Sequence, residues 1–146
     1  MAVYTHILLA VDFTSATDTV ALQAMKLCQA FNARLSLVHV VEFVQTNLPN
    51  DLVLPQALEI DQELKERGMQ RLQELAEKLG IDKSECIVSQ GSTRREILHL
   101  AEERNVDLIV IGSHGREGIQ RLLGSTANAV LHGAPCDVLA VRIKDE

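Results

Sequence analysis

The sequence predicts an α/β fold, a doubly wound parallel sheet with helices on both faces. Three observations carry this expectation. Four segments, HILLAV (His6 to Val11), LSLVHVV (Leu35 to Val41), DLIVIG (Asp107 to Gly112) and DVLAV (Asp137 to Val141), are nearly unbroken apolar runs. Strands buried on both faces read this way. Segments with apolar residues at 3–4 spacing lie between them. The two patterns alternate along the chain, which implies parallel strands joined by right-handed crossovers. All 146 residues are expected to form one domain, a length that suits a sizeable core.

Each element follows in order. After the first run, Val20, Ala21, Ala24, Leu27, Cys28 and Phe31 mark a helix over Ser15 to Phe31, with Thr14 or Ser15 as its expected cap. The second run leads into EFVQTNLPNDLVLPQ (Glu42 to Gln56), a proline- and asparagine-bearing stretch expected to be a long loop. Leu64, Leu72, Leu75, Ala76 and Leu79 then mark a helix to Gly80, which is a plausible stop. Its charged side offers Glu63 with Arg67 and Glu74 with Lys78, both at i,i+4 spacing. ECIVSQG (Glu85 to Gly91) is a weaker strand pattern. Thr93 and Glu96 read as a capping box ahead of Ile97, Leu100 and Ala101. The last helix is expected to start near Ser125 or Thr126 and to stop at Gly133, before Pro135.

Composition narrows the function. Aromatics are 3% with no Trp, so stacking platforms for single-stranded nucleic acid are not expected. A net charge of −6 argues against attraction to a polyanion, although backbone amides can still hold a local anion. Cys28, Cys86 and Cys136 show no metal or C-x-x-C spacing and read as reduced thiols. MAVYTHILLAVDF resembles neither a signal peptide nor a membrane span, so a cytoplasmic location is expected.

In a doubly wound sheet, ligands sit beyond the carboxyl ends of the strands where the strand order reverses. Asp12 follows the first run, and Gly112, Ser113, His114 and Gly115 follow the fourth. Gly124, Ser125 and Thr126 open the last helix. Glycines permit positive φ and close approach to the amides. A helix start supplies free N–H groups and the positive end of its dipole. These parts make a phosphate cradle, which Arg116 and Arg121 could supplement. An ordinary glycine-rich turn before a capped helix would use the same residues.

No P-loop and no G-x-G-x-x-G is present. His114 is a candidate base or ligand, although a polar loop histidine is more often a simple hydrogen-bonding residue. His39 reads as a satisfied histidine within a strand. Asp12 is a candidate for a ribose hydroxyl or for Mg²⁺ through water, and equally for a cap on the next helix. No carboxylate pair, nucleophile elbow or metal cluster marks a catalytic site, so no catalytic residue is assigned.

Along essentially its whole length the chain resembles the universal stress proteins. HILLAVDFT, LSLVHVVE, DLIVIGSHGREG and LLGSTANAVLHGAPCDVLAVR carry the resemblance. It implies a five-stranded sheet of order 3-2-1-4-5 and a homodimer paired through the last strand, Asp137 to Arg142. It also implies ATP binding, with Asp12 at the nucleoside and Val40 near adenine. Gly112, Gly115, Gly124 and Ser125 would hold the phosphates. The ATP-binding branch of the family carries G-x2-G-x9-G-[ST]. Here eight residues separate Gly115 from Gly124, one fewer than that pattern. One residue spans about 3 Å, enough to displace the cradle amides.

The expectation is thus a homodimer that binds ATP, or another adenine nucleotide, as a regulatory ligand with at most slow hydrolysis. Its rival is a dimeric protein-interaction module of the same family that binds no nucleotide. A nucleotidyl-transfer or pyrophosphatase enzyme would need a Lys/Arg set or glycine motif that DFTSATD does not supply.

Overall fold

The computed structural model describes residues 3–42, 55–113 and 124–143, and of residues 55–58 the backbone alone. The apolar runs become strands β1 (His6–Ala10), β2 (Arg34–Val41), β3 (Cys86–Gln90), β4 (Leu108–Gly112) and β5 (Asp137–Val141). Between them lie helices α1 (Thr17–Phe31), α2 (Pro55–Leu79), α3 (Thr93–Glu103) and α4 (Ser125–Gly133), with a single 3-10 turn at Lys83–Glu85. The strands form one parallel sheet of order β3-β2-β1-β4-β5.

β1 shows why its sequence is apolar throughout. Ile7, Leu8 and Leu9 are all within 1% of full burial. Successive side chains point to opposite faces, so both faces must be covered. Ile7 and Leu9 join Val20, Ala24 and Leu72 in a core layer under α1 and α2. Leu8 joins Ile97, Leu100 and Val130 in a second layer under α3 and α4. Each such side chain contributes about 1.5–3 kcal/mol by leaving water.

Helix ends repeat one device. Gly80 takes φ +71° and lets Ile81 N–H reach the Ala76 carbonyl at 2.9 Å, as its position predicts. Asn32 (φ +53°) and Asn105 (φ +54°) do the same after α1 and α3, with Ala33 N–H on Cys28 and Val106 N–H on Ala101. Asn tolerates this conformation better than other residues with a side chain beyond glycine.

Two expected caps are corrected. α1 has Ala16 at its N-cap with no side-chain bond. The Thr14 hydroxyl is spent instead on Asp12 Oδ1 at 3.0 Å, so neither Thr14 nor Asp12 caps the helix. α3 has Ser92 at its N-cap, also without a side-chain bond. Thr93 is already helical and its hydroxyl donates to Glu42 Oε1 at 3.1 Å, so the Thr93–Glu96 box does not form. Lys78 lies 4.0 Å from Asp18 on α1, an ion pair between helices.

Candidate functional site

The order β3-β2-β1-β4-β5 places the reversal between β1 and β4. These strands run side by side, Leu9 opposite Val110. Asp12 and Gly112 therefore leave the sheet at the same end of adjacent strands. The adjacency of the first and fourth strands on which the expected crevice depends is present.

Asp12 is exposed. Its Oδ1 accepts from Thr14 N–H at 3.1 Å and from the Thr14 hydroxyl, a tight turn closed by the carboxylate. No described residue bonds Oδ2. The next residue, Phe13, takes φ +57°. For a bulky side chain this region costs about 1–2 kcal/mol. Its ring packs 4.5 Å from the His39 ring, centroid to centroid, and under the Arg71 guanidinium at 4.3 Å. His39 Nδ1 donates to the Val11 carbonyl at 2.7 Å, so this histidine is satisfied as expected, though half-buried. Val40 is half-buried on the other face, against the layer under α3 and α4.

After β4, Ser113 joins three segments. Its N–H donates to Val141, its carbonyl accepts from Gly124 N–H at 2.6 Å, and its hydroxyl accepts from Ile143 N–H at 3.0 Å. That hydroxyl is thus engaged in holding the chain after β5. The Gly124 bond docks the start of α4 against the end of β4. Gly124 is the N-cap, without a side-chain cap bond, and its carbonyl accepts from Asn128 N–H. The N–H groups of Ser125, Thr126 and Ala127 thus find no acceptor among the described residues. They lie at the positive end of the dipole of a nine-residue helix.

Gly124 has φ −61°, which any residue adopts, so a positive φ is not its reason for being glycine. His114, Gly115, Arg116 and Arg121 lie outside the described residues, as does most of the expected 42–56 loop. The structure brings together Asp12, Gly112, Ser113 and the Gly124–Thr126 helix start at one end of the sheet. Sequence reading missed Phe13, which lies inside HILLAVDFT but was assigned no role, and Arg71 and Gly68, which lie outside any recognised motif. Among the described residues no group of three or more His, Cys, Asp or Glu could hold a metal ion. No described helix is long and apolar enough to cross a membrane.

A separate cleft lies elsewhere. About 490 Å³ opens beside β5, lined by Tyr4, Leu27, Leu131, Cys136, Val138 and Leu139. Tyr4 and Asp137 sit at the amino ends of the strands, so this cleft is remote from the crevice. Leu131 and Leu139 are 47% and 37% exposed there.

Comparison with known proteins agrees with this architecture. The sequence model of the universal stress protein family matches residues 3–142. Universal stress protein A homolog 2 of Coxiella burnetii is 42% identical over 142 residues, covering 97% of each chain. Universal stress protein UspA from Lactobacillus plantarum superposes with a TM-score of 0.73 at 28% identity, covering 95% of this chain and 98% of its own. A universal stress protein solved in complex with cAMP shares the fold, with a TM-score of 0.69 at 23% identity over 97% of this chain and 98% of its own. Sheet order, crevice and a match across nearly the whole sequence lead to one conclusion: the chain belongs to the universal stress protein family.

Proposed function

We propose that the protein binds an adenine nucleotide, ATP in the first instance, as a regulatory ligand in the crevice between β1 and β4. One observation carries this reading. The start of α4, with three amides that find no acceptor among the described residues, is docked by Gly124 on Ser113 at the end of the sheet where the strand order reverses. The donors fit a polyphosphate: three helix-start amides with the Ser125 and Thr126 hydroxyls at their edge. Asp12 Oδ2 fits a ribose hydroxyl, or Mg²⁺ through water. Val40 supplies an apolar neighbour for a base. Ligand binding would shift which partners dock.

Calorimetric titration of nucleotide-free protein with Mg·ATP tests the reading, with cAMP titrated alongside because a relative of the same fold was solved with it. Micromolar binding of either supports the crevice as a nucleotide site. No heat from either ligand means that the shortened glycine loop no longer forms a cradle.

A second element of the proposal is a homodimer through β5, Asp137 to Arg142. It is favoured by the edge position of β5, whose outer backbone groups have no strand beside them among the described residues, and by exposed Leu131 and Leu139. The same observation favours the rival reading, a dimeric interaction module without nucleotide. Light scattering of the wild type and of Leu139→Lys tests the dimer independently of the ligand.

A further inference from the structure

Phe13 is bulky, lacks glycine's freedom, and still holds φ +57° one residue after Asp12. Residues in such conformations persist only where their surroundings fix them. Here the fixing groups come from two distant elements. Arg71 of α2 lies over the Phe13 ring at 4.3 Å, and His39 of β2 packs on it at 4.5 Å with planes tilted by 49°. His39 is pinned in turn by its bond to the Val11 carbonyl. Its Cδ2 edge faces Gly68 of α2, where a Cβ would come within 3.1 Å. Val11 and Phe13 both pack into the layer under α1 and α2, while Asp12 between them stays exposed.

We infer that Phe13 is a positioning residue for Asp12: the Arg71–Phe13–His39 stack fixes the backbone that holds the Asp12 carboxylate at the crevice. The turn that Asp12 closes onto Thr14 spans Phe13, so the clamped φ of Phe13 sets the geometry of its two bonds to Oδ1. Release of the ring lets Phe13 leave that φ, which loosens the turn and lets the carboxylate reorient. α2 thereby acts on Asp12 through the Phe13 ring. The ligand part of this inference rests on the nucleotide reading of Asp12, whereas the turn itself does not.

The test uses Phe13→Ala, Phe13→Tyr and Arg71→Met, each also combined with Asp12→Asn, which keeps an acceptor at Oδ1 and removes the charge. Thr14 amide exchange, read by NMR against the Leu9 and Val110 amides of the core, reports the turn. Titration with Mg·ATP reports the site. In Phe13→Ala, Thr14 exchange rises relative to the core amides and Mg·ATP affinity falls about tenfold, the scale of one hydrogen bond to a charged group. That affinity loss vanishes in the Asp12→Asn background, and Phe13→Tyr restores both readouts. Arg71→Met, at an exposed residue, shifts both the same way by less, and it carries the test should Phe13→Ala not fold. Unchanged Thr14 exchange overturns the inference, as does an affinity loss that persists undiminished with Asp12→Asn. If the wild type binds no Mg·ATP, the nucleotide reading falls, and Thr14 exchange alone decides the role of Phe13.

Discussion

Asp107 and Thr5 lie 102 residues apart, and one carboxylate oxygen joins them: Oδ2 accepts both the N–H and the hydroxyl of Thr5 at 2.8 Å. Oδ1 takes the N–H of His6 at 3.0 Å. The residue before β4 thus satisfies the amides that lead into β1, and the two strands enter the sheet together. Desolvation pushes the Asp107 carboxyl up, but the bonds from Thr5 and His6 outweigh it and hold it below the ordinary 3.8. A carboxylate with a depressed folded value contributes stability above its unfolded value and loses it as pH falls through the folded one. Asp107→Asn is expected to cost about 1–3 kcal/mol at neutral pH, because an amide replaces one acceptor with a donor. The variant should also lose less than the wild type between pH about 5 and 2. Urea unfolding at several pH values measures both.

Two helical glycines should respond differently to alanine. At Gly68 the new Cβ would meet His39 Cδ2 at 3.1 Å, and His39 is held by Val11 and Phe13. Helix propensity favours alanine by about 1 kcal/mol, but the ring has nowhere to go, so Gly68→Ala should lower stability. At Gly133 the nearest atom is Leu98 Cδ1 at 2.8 Å, the free end of a flexible side chain. That methyl can turn away, and Gly133→Ala should fall within about 0.5 kcal/mol of wild type. Thermal melts of the two variants decide the matter.

Asp12→Ala should weaken Mg·ATP by about 1–3 kcal/mol if its carboxylate holds the ribose. Calorimetry gives the affinity, and an unchanged value would leave Asp12 with a turn to close and no ligand to hold.

The cysteines should react in a set order. Burial pushes all three thiols up, with the charge of Asp137 adding at Cys136. Cys28 and Cys86 are buried, and Cys28 Sγ donates to the Ala33 carbonyl. Cys136 is only half-buried. Iodoacetamide followed by mass spectrometry should find Cys136 modified first, and all three slower than in the unfolded chain, since the thiolate is the reactive form. Equal rates at Cys28 and Cys136 would mean that the core layer opens readily.

The strands were legible because Ile7, Leu8 and Leu9 must be apolar whichever face they meet, and composition alone reveals that. Gly80 was legible as a helix stop because glycine advertises a left-handed turn. Asn32 and Asn105 do the same work without that advertisement. The Thr93–Glu96 box satisfied a local pattern, yet Glu42, 51 residues away, took the threonine hydroxyl. Asp12 and Gly124 stood out as site residues because polar and glycine residues after apolar runs are uncommon. The bond from Gly124 to Ser113, the engagement of Ser113 with Ile143, and the clamp on Phe13 are contacts between distant segments. No local window contains them.

The sheet also acts as a partition. Leu72 lies in one core layer and Ile97 in the other, with β-strands between them. Each truncated to Ala should cost about 2–5 kcal/mol. Because neither cavity can be filled from across the strands, the double variant should lose the sum of the two within about 0.5 kcal/mol. One layer can then accumulate substitutions without the other having to repack, so the helices that build the crevice and those that clamp Phe13 are free to diverge at separate rates.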